Sequence, residues 1–85
     1  MEKQVTLYTR GRCPLCEKAK QILLELQKEI PFQFIEHDIE EKDEWTEEYG
    51  LMIPVVFVGD KMVDYGQIVK EIVRSSLIED ISISN

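Results

Sequence analysis

Between Gln4 and His37 the hydrophobic period changes twice, and this double change constrains the fold more than any other property of the chain. Gln4-Val5-Thr6-Leu7-Tyr8-Thr9 alternates, with Val5 and Leu7 on one face and Thr6 and Tyr8 on the other, as a strand does. From 14 to 29 the apolar residues Leu15, Ala19, Ile22, Leu23 and Leu26 recur at helical spacing, while Lys18, Lys20, Glu25 and Lys28 fall mostly outside that stripe. Pro31 ends the helix, and Phe32-Gln33-Phe34-Ile35-Glu36-His37 returns to strand composition. Strand, helix and strand make a βαβ unit, whose two strands run parallel.

The rest of the chain extends that unit. Asp43 to Tyr49 reads as a short helix with acids in its first turn, Trp45 and Tyr49 stacked at i,i+4, and Gly50 placed to end it. Pro54 to Val58 is a continuous apolar, β-branched run suited to a strand covered on both faces. Gly59-Asp60 is a two-residue hairpin signal, so Lys61 to Tyr65 returns as an edge strand. After Gly66, the pattern Ile68, Val69, Ile72, Val73, Leu77 predicts a closing amphipathic helix, with Ile81 and Ile83 beyond it in a tail that either packs or frays. The order βαβαββα implies an α/β domain: a four-stranded mixed sheet with helices on both faces. At 85 residues there is room for one such domain, spanning 1–85, and a chain of this size buries roughly 60–70% of its unfolded surface.

Charge narrows the partners. A net charge of −7 disfavours nucleic acid and anionic membrane, both of which reward clustered Lys and Arg. Eight carboxylates crowd the segment from Glu36 to Glu48, which reads as a solvated face, with docking of a basic partner as the alternative. Met1-Glu2-Lys3-Gln4 leads into the first strand without the basic start and apolar run of a secretory signal, and the apolar run Ile53 to Val58 is far short of a membrane span. We therefore expect a cytoplasmic chain, in which two cysteines are catalytic or metal-binding rather than a structural staple.

Those cysteines stand at the first change of period, in Arg10-Gly11-Arg12-Cys13-Pro14-Leu15-Cys16. Proline suits the first helical position, since the donor it lacks would be unpaired there, and this makes Cys13 the expected helix cap. The N–H groups of Leu15 and Cys16 then point toward its sulfur, and the helix dipole favours thiolate over thiol. Arg10 and Arg12 add positive charge, so the pKa of Cys13 is expected below the ordinary thiol range. Cys16, one turn on, is expected to be the more buried sulfur and to lie within bonding reach of Cys13. Cys13 would attack a disulfide and Cys16 would resolve the mixed intermediate. No base for Cys16 is evident, since Glu17 is adjacent but points elsewhere on the helix. Ile53-Pro54, opening an apolar strand, is a candidate cis bond.

The segments Leu7-Tyr8-Thr9-Arg10-Gly11-Arg12-Cys13-Pro14-Leu15-Cys16 and Tyr49-Gly50-Leu51-Met52-Ile53-Pro54-Val55 resemble the glutaredoxin branch of the thioredoxin superfamily, in particular its small bacterial glutaredoxin-like proteins. The resemblance runs from about Val5 to Leu77. It implies a thioredoxin fold with a redox-active disulfide, a role in electron transport, a monomeric state, and Cys13 and Cys16 as catalytic residues. It further implies that Arg10, Pro14, Ile53, Pro54 and Gly66 contact substrate, with Pro54 cis and facing the cysteines and the Ile53 backbone pairing with an extended segment. The partner would be a disulfide-bearing protein or a small thiol, with no organic cofactor or metal. Departures fall at Gly66-Gln67, where the family usually has two glycines and an acid, at Leu15 for an aromatic residue, and at Met52 for threonine. Glutathione is therefore one candidate electron donor beside a thioredoxin-reductase-type system.

Three alternatives stand beside this reading. Zinc would need four ligands, and Cys13, Cys16, His37 and a carboxylate are the available set, although Pro14 at a helix start does not suit a zinc knuckle. An iron–sulfur cluster held by a glutaredoxin-like dimer is a second. A catalytically idle adaptor of thioredoxin fold, docking through its acidic flank, is a third. Tyr8 and Tyr65 belong either to the rim of the site or to the core.

Overall fold

The computed structural model describes residues 3–83, with side chains as far as Glu79, so the readings placed on Met1 and Glu2 and on the packing of Ile81 and Ile83 lie outside the described residues. Its elements follow the expected order: β1 (Lys3–Thr9), α1 (Pro14–Glu29), β2 (Phe32–Asp38), a 3₁₀ turn (Ile39–Glu41), α2 (Asp43–Tyr49), β3 (Val55–Val58), β4 (Lys61–Tyr65) and α3 (Lys70–Ile83). The four strands form one sheet in the order β2-β1-β3-β4. β1 pairs parallel with β2, from Lys3↔Phe32 to Thr9↔Asp38, and antiparallel with β3, from Val5↔Val58 to Tyr8↔Val55. β4 pairs antiparallel with β3 across an irregularity at Val56/Phe57 and forms one edge.

Strand alternation divides the protein into two layers. Val5, Leu7, Val56 and Val58 send their side chains to one face, where they meet Ala19, Leu23 and Leu26 of α1 and Val73 and Leu77 of α3 in the hydrophobic core. Fully burying such a side chain stabilises by about 1.5–3 kcal/mol. On the opposite face Tyr8 meets Tyr49 at 4.5 Å, Trp45 at 5.5 Å and Phe57 at 5.6 Å between ring centroids, which seats α2 against the sheet. Trp45 and Tyr49 therefore pack through Tyr8 between them, which places Tyr8 in the packing layer and differs from the direct i,i+4 stack expected. Tyr65, by contrast, is exposed.

Local signals explain the boundaries. The Ile30 N–H bonds back to the Leu26 carbonyl at 2.8 Å and Pro31 then stops α1, while Gly59 takes φ +60 in the β3–β4 turn. Three details depart from expectation. Leu15 is 43% exposed, so the buried stripe of α1 starts at Cys16 instead. Gly50 stays right-handed (φ −55, ψ −32), and a Cβ there would lie 2.5 Å from the Thr46 carbonyl oxygen, so close approach rather than a left-handed cap accounts for the glycine. Ile68 is buried just ahead of α3, while Val69 and Ile72 are exposed.

Candidate active site

The first-turn N–H groups of α1 have no partners within the helix, Pro14 fits there because the donor it lacks would be unpaired, and Cys13 takes the cap position with an extended backbone. Of the two N–H groups expected to face its sulfur, that of Cys16 does so, donating to Cys13 Sγ at 3.2 Å. Cys13 and Cys16 are joined in a disulfide, with their Cα atoms 5.2 Å apart. The sulfurs are unequal in access: Cys13 is half-buried, and Cys16 is only 4% exposed.

The turn before Cys13 is backbone-strained. Arg12 takes φ +58, a left-handed conformation that costs an L-residue on the order of 1 kcal/mol. Gly11 beside it has a non-positive φ, and a Cβ there would meet nothing within 4 Å. The glycine thus makes no use of a left-handed conformation and has room for a Cβ, while an arginine takes the conformation that glycine favours. Arg10 and Arg12 are both exposed, and among the described residues neither is held in an ion pair.

Strand register brings two distant segments to the same end of the sheet. Tyr8 lies opposite Val55 and Val55 opposite Tyr65, so Pro54 and Gly66 sit where β1 runs out toward the cysteines. The Ile53-Pro54 bond is cis, as the resemblance implied. The Ile53 N–H is taken up by the Tyr49 carbonyl at 3.1 Å, so the donor half of the backbone pairing expected of Ile53 is already engaged within the protein. Gly66, at φ +75, shares its N–H between the carbonyls of Met52 (3.0 Å) and Pro54 (2.8 Å). That donor is spent on the scaffold, clamping the proline loop, and is not offered to a ligand. Asp64, which the pattern of the chain did not single out, accepts from the N–H groups of Tyr65 and Val69, both at 2.9 Å, and so holds the turn that carries Gly66.

Behind the disulfide is an open pocket of about 360 Å³ lined by Thr9, Arg10, Cys16, Lys20, Glu36 and Asp38, among others. Lys20 and Glu36 pair across it at 3.2 Å. Nothing in chain order associates Glu36 with Cys16; the parallel pairing of β2 on β1 does. His37 packs its ring against Trp45 at 4.6 Å and Tyr8 at 5.4 Å, and among the described residues no three His, Cys, Asp or Glu side chains are grouped as a metal ion would require.

A family model described as Glutaredoxin-like domain matches residues 4–78. Among solved structures, a Nitrosomonas europaea protein determined by NMR in solution is 25% identical, with a TM-score of 0.80 over 91% of this chain and 93% of that one. Thioredoxin 1 from Thermosipho africanus has a TM-score of 0.73 at 15% identity, over 96% of this chain and 98% of that one. Glutaredoxin 1 from Francisella tularensis, complexed with cacodylate, has a TM-score of 0.51 at 21% identity, over 94% and 98% of the two chains.

Proposed function

The chain belongs to the Glutaredoxin-like domain family, and from that premise we propose that it is a dithiol thiol–disulfide oxidoreductase that reduces a partner's disulfide. The fold and the cysteine pair support a role of this class, and the carrying observation is the asymmetry of the pair: Cys13 caps the helix and is the more accessible sulfur, with Cys16 buried behind it. In the reduced protein the Cys13 thiolate attacks one sulfur of the partner's disulfide, forming a mixed disulfide and releasing the other sulfur as thiolate. Cys16 then loses its proton and attacks Cys13 Sγ; the Cys13–partner bond breaks and the partner leaves with its second thiol. Two electrons pass to the partner, and the protein is left with the Cys13–Cys16 bond seen here.

We read the protein as a cytoplasmic monomer that needs no metal or organic cofactor for this cycle. No helix among the described residues is long and apolar enough to cross a membrane. The engaged Gly66 amide, followed by Gln67 instead of an acid, favours a thioredoxin-reductase-type donor over glutathione. Comparing the two as reductants of the oxidised protein checks this, and efficient reduction by glutathione alone would reverse the preference.

The cycle itself is tested by serine variants. Cys13→Ser is expected to abolish disulfide reduction, and Cys16→Ser to accumulate mixed disulfides resolvable on non-reducing gels. Unchanged reductase activity in Cys13→Ser, or no trapped species in Cys16→Ser, would sink the dithiol mechanism.

A further inference from the structure

Arg12 is out of place as a backbone residue. The turn needs a left-handed conformation at 12, the adjacent Gly11 does not use one, and exchanging the two residues would suit the chain better on conformational grounds. Packing does not explain it either, because the side chain is exposed. Its charge is not spent internally: among the described residues Arg12 and nearby Arg10 have no ion pair, and what separates them from Lys18, Lys28, Lys42 and Lys61, which have none either, is their place beside Cys13. What remains is an exposed guanidinium on the turn immediately before Cys13, the sulfur that the proposed cycle presents to a partner's disulfide.

We propose that Arg12 is a specificity residue for protein disulfides whose attacked cysteine is flanked by carboxylates. The proposal rests on the reductase reading above and deepens it by naming the substrate class. A guanidinium contacts a carboxylate through paired N–H donors, and the contact forms only when the partner's cysteine has been brought to Cys13. Over longer range the net charge of −7 repels an acidic partner, but this field is screened beyond about 8–10 Å at ordinary ionic strength, so the local cation decides at contact.

The test uses two disulfide-linked peptide dimers, identical except that the cysteine is flanked by aspartates in one and asparagines in the other. The reduced protein is mixed with each, and the ratio of the two second-order rates is compared between wild type and Arg12→Gln. Any change that the lost charge makes in the reactivity of the Cys13 sulfur acts on both probes alike and cancels in the ratio. We expect Arg12→Gln to lower the aspartate-to-asparagine ratio about three- to fivefold, the size of one surface ion pair, and the difference to vanish in about 1 M salt. Lys61→Gln makes the same change in net charge from the opposite end of the sheet and is expected to leave the ratio unaltered. An unchanged ratio in Arg12→Gln, or an equal drop in Lys61→Gln, would overturn the proposal while leaving the reductase intact. Failure of the wild-type protein to reduce either probe would instead overturn the reductase reading, and the specificity with it.

Discussion

At position 66 a side chain would have to adopt φ +75 while its N–H kept hold of the carbonyls of Met52 and Pro54. Gly66→Ala is therefore expected to destabilise by about 1–2 kcal/mol in urea unfolding, because the left-handed region penalises any Cβ and the proline loop depends on that donor. Gly11 is the opposite case: with a non-positive φ and open space around a Cβ, Gly11→Ala is expected to stabilise by about 0.4–1 kcal/mol by narrowing the unfolded ensemble. A loss of stability in Gly11→Ala would show that the turn needs glycine after all. Only Gly66, next to a strand end, carried a signal in the sequence, and its use as a clamp instead of a ligand donor could not be read from its neighbours.

At the scale of elements, α3 is fastened to α1 by charge as well as by core packing. Arg74 donates to Glu29 at 2.7 Å, and Lys70 reaches Glu25 at 3.1 Å and Glu29 at 3.6 Å, while Arg74 also pairs with Glu71 on its own helix. The hydrogen bonds from Arg74 lower the Glu29 pKa most, with the charges of Arg74 and Lys70 adding to them and partial desolvation opposing. A carboxylate whose pKa is depressed on folding contributes stability above its unfolded value, near 4.5 here, and loses that contribution as pH falls through the folded value. Glu29→Gln is therefore expected to unfold with a shallower dependence on pH below about 4.5 than wild type; parallel curves would show that the pair adds nothing to folding. The helices themselves were legible, because Pro14, Pro31 and the apolar spacing act within a few residues. The pairing of α1 with α3 was not, since Glu29 and Arg74 are 45 positions apart.

For the whole molecule, the core joins α1 and α3 to one face of the sheet, and Leu23 sits fully buried in it between helix and sheet. Leu23→Ala is expected to cost about 2–5 kcal/mol, read as a lower midpoint in urea, while the Cys13–Cys16 bond still forms in the fraction that remains folded. A cost below 1 kcal/mol would mean that the core relaxes into the space. Periodicity, proline positions and turn residues determined by themselves the order βαβαββα and the cap at Cys13, because each of these is decided by residues a few positions apart, and the parallel β1–β2 pair then follows from the handedness of a βαβ connection. Tertiary structure alone decided which of those parts meet: strand register carried Pro54 and Gly66 to the end of β1, β2 brought Glu36 beside Cys16, and the Arg10–Cys13 turn put the left-handed residue at Arg12 instead of Gly11. Such juxtapositions depend on how distant strands align and on how the chain is threaded between fixed elements, and neither has a local signature.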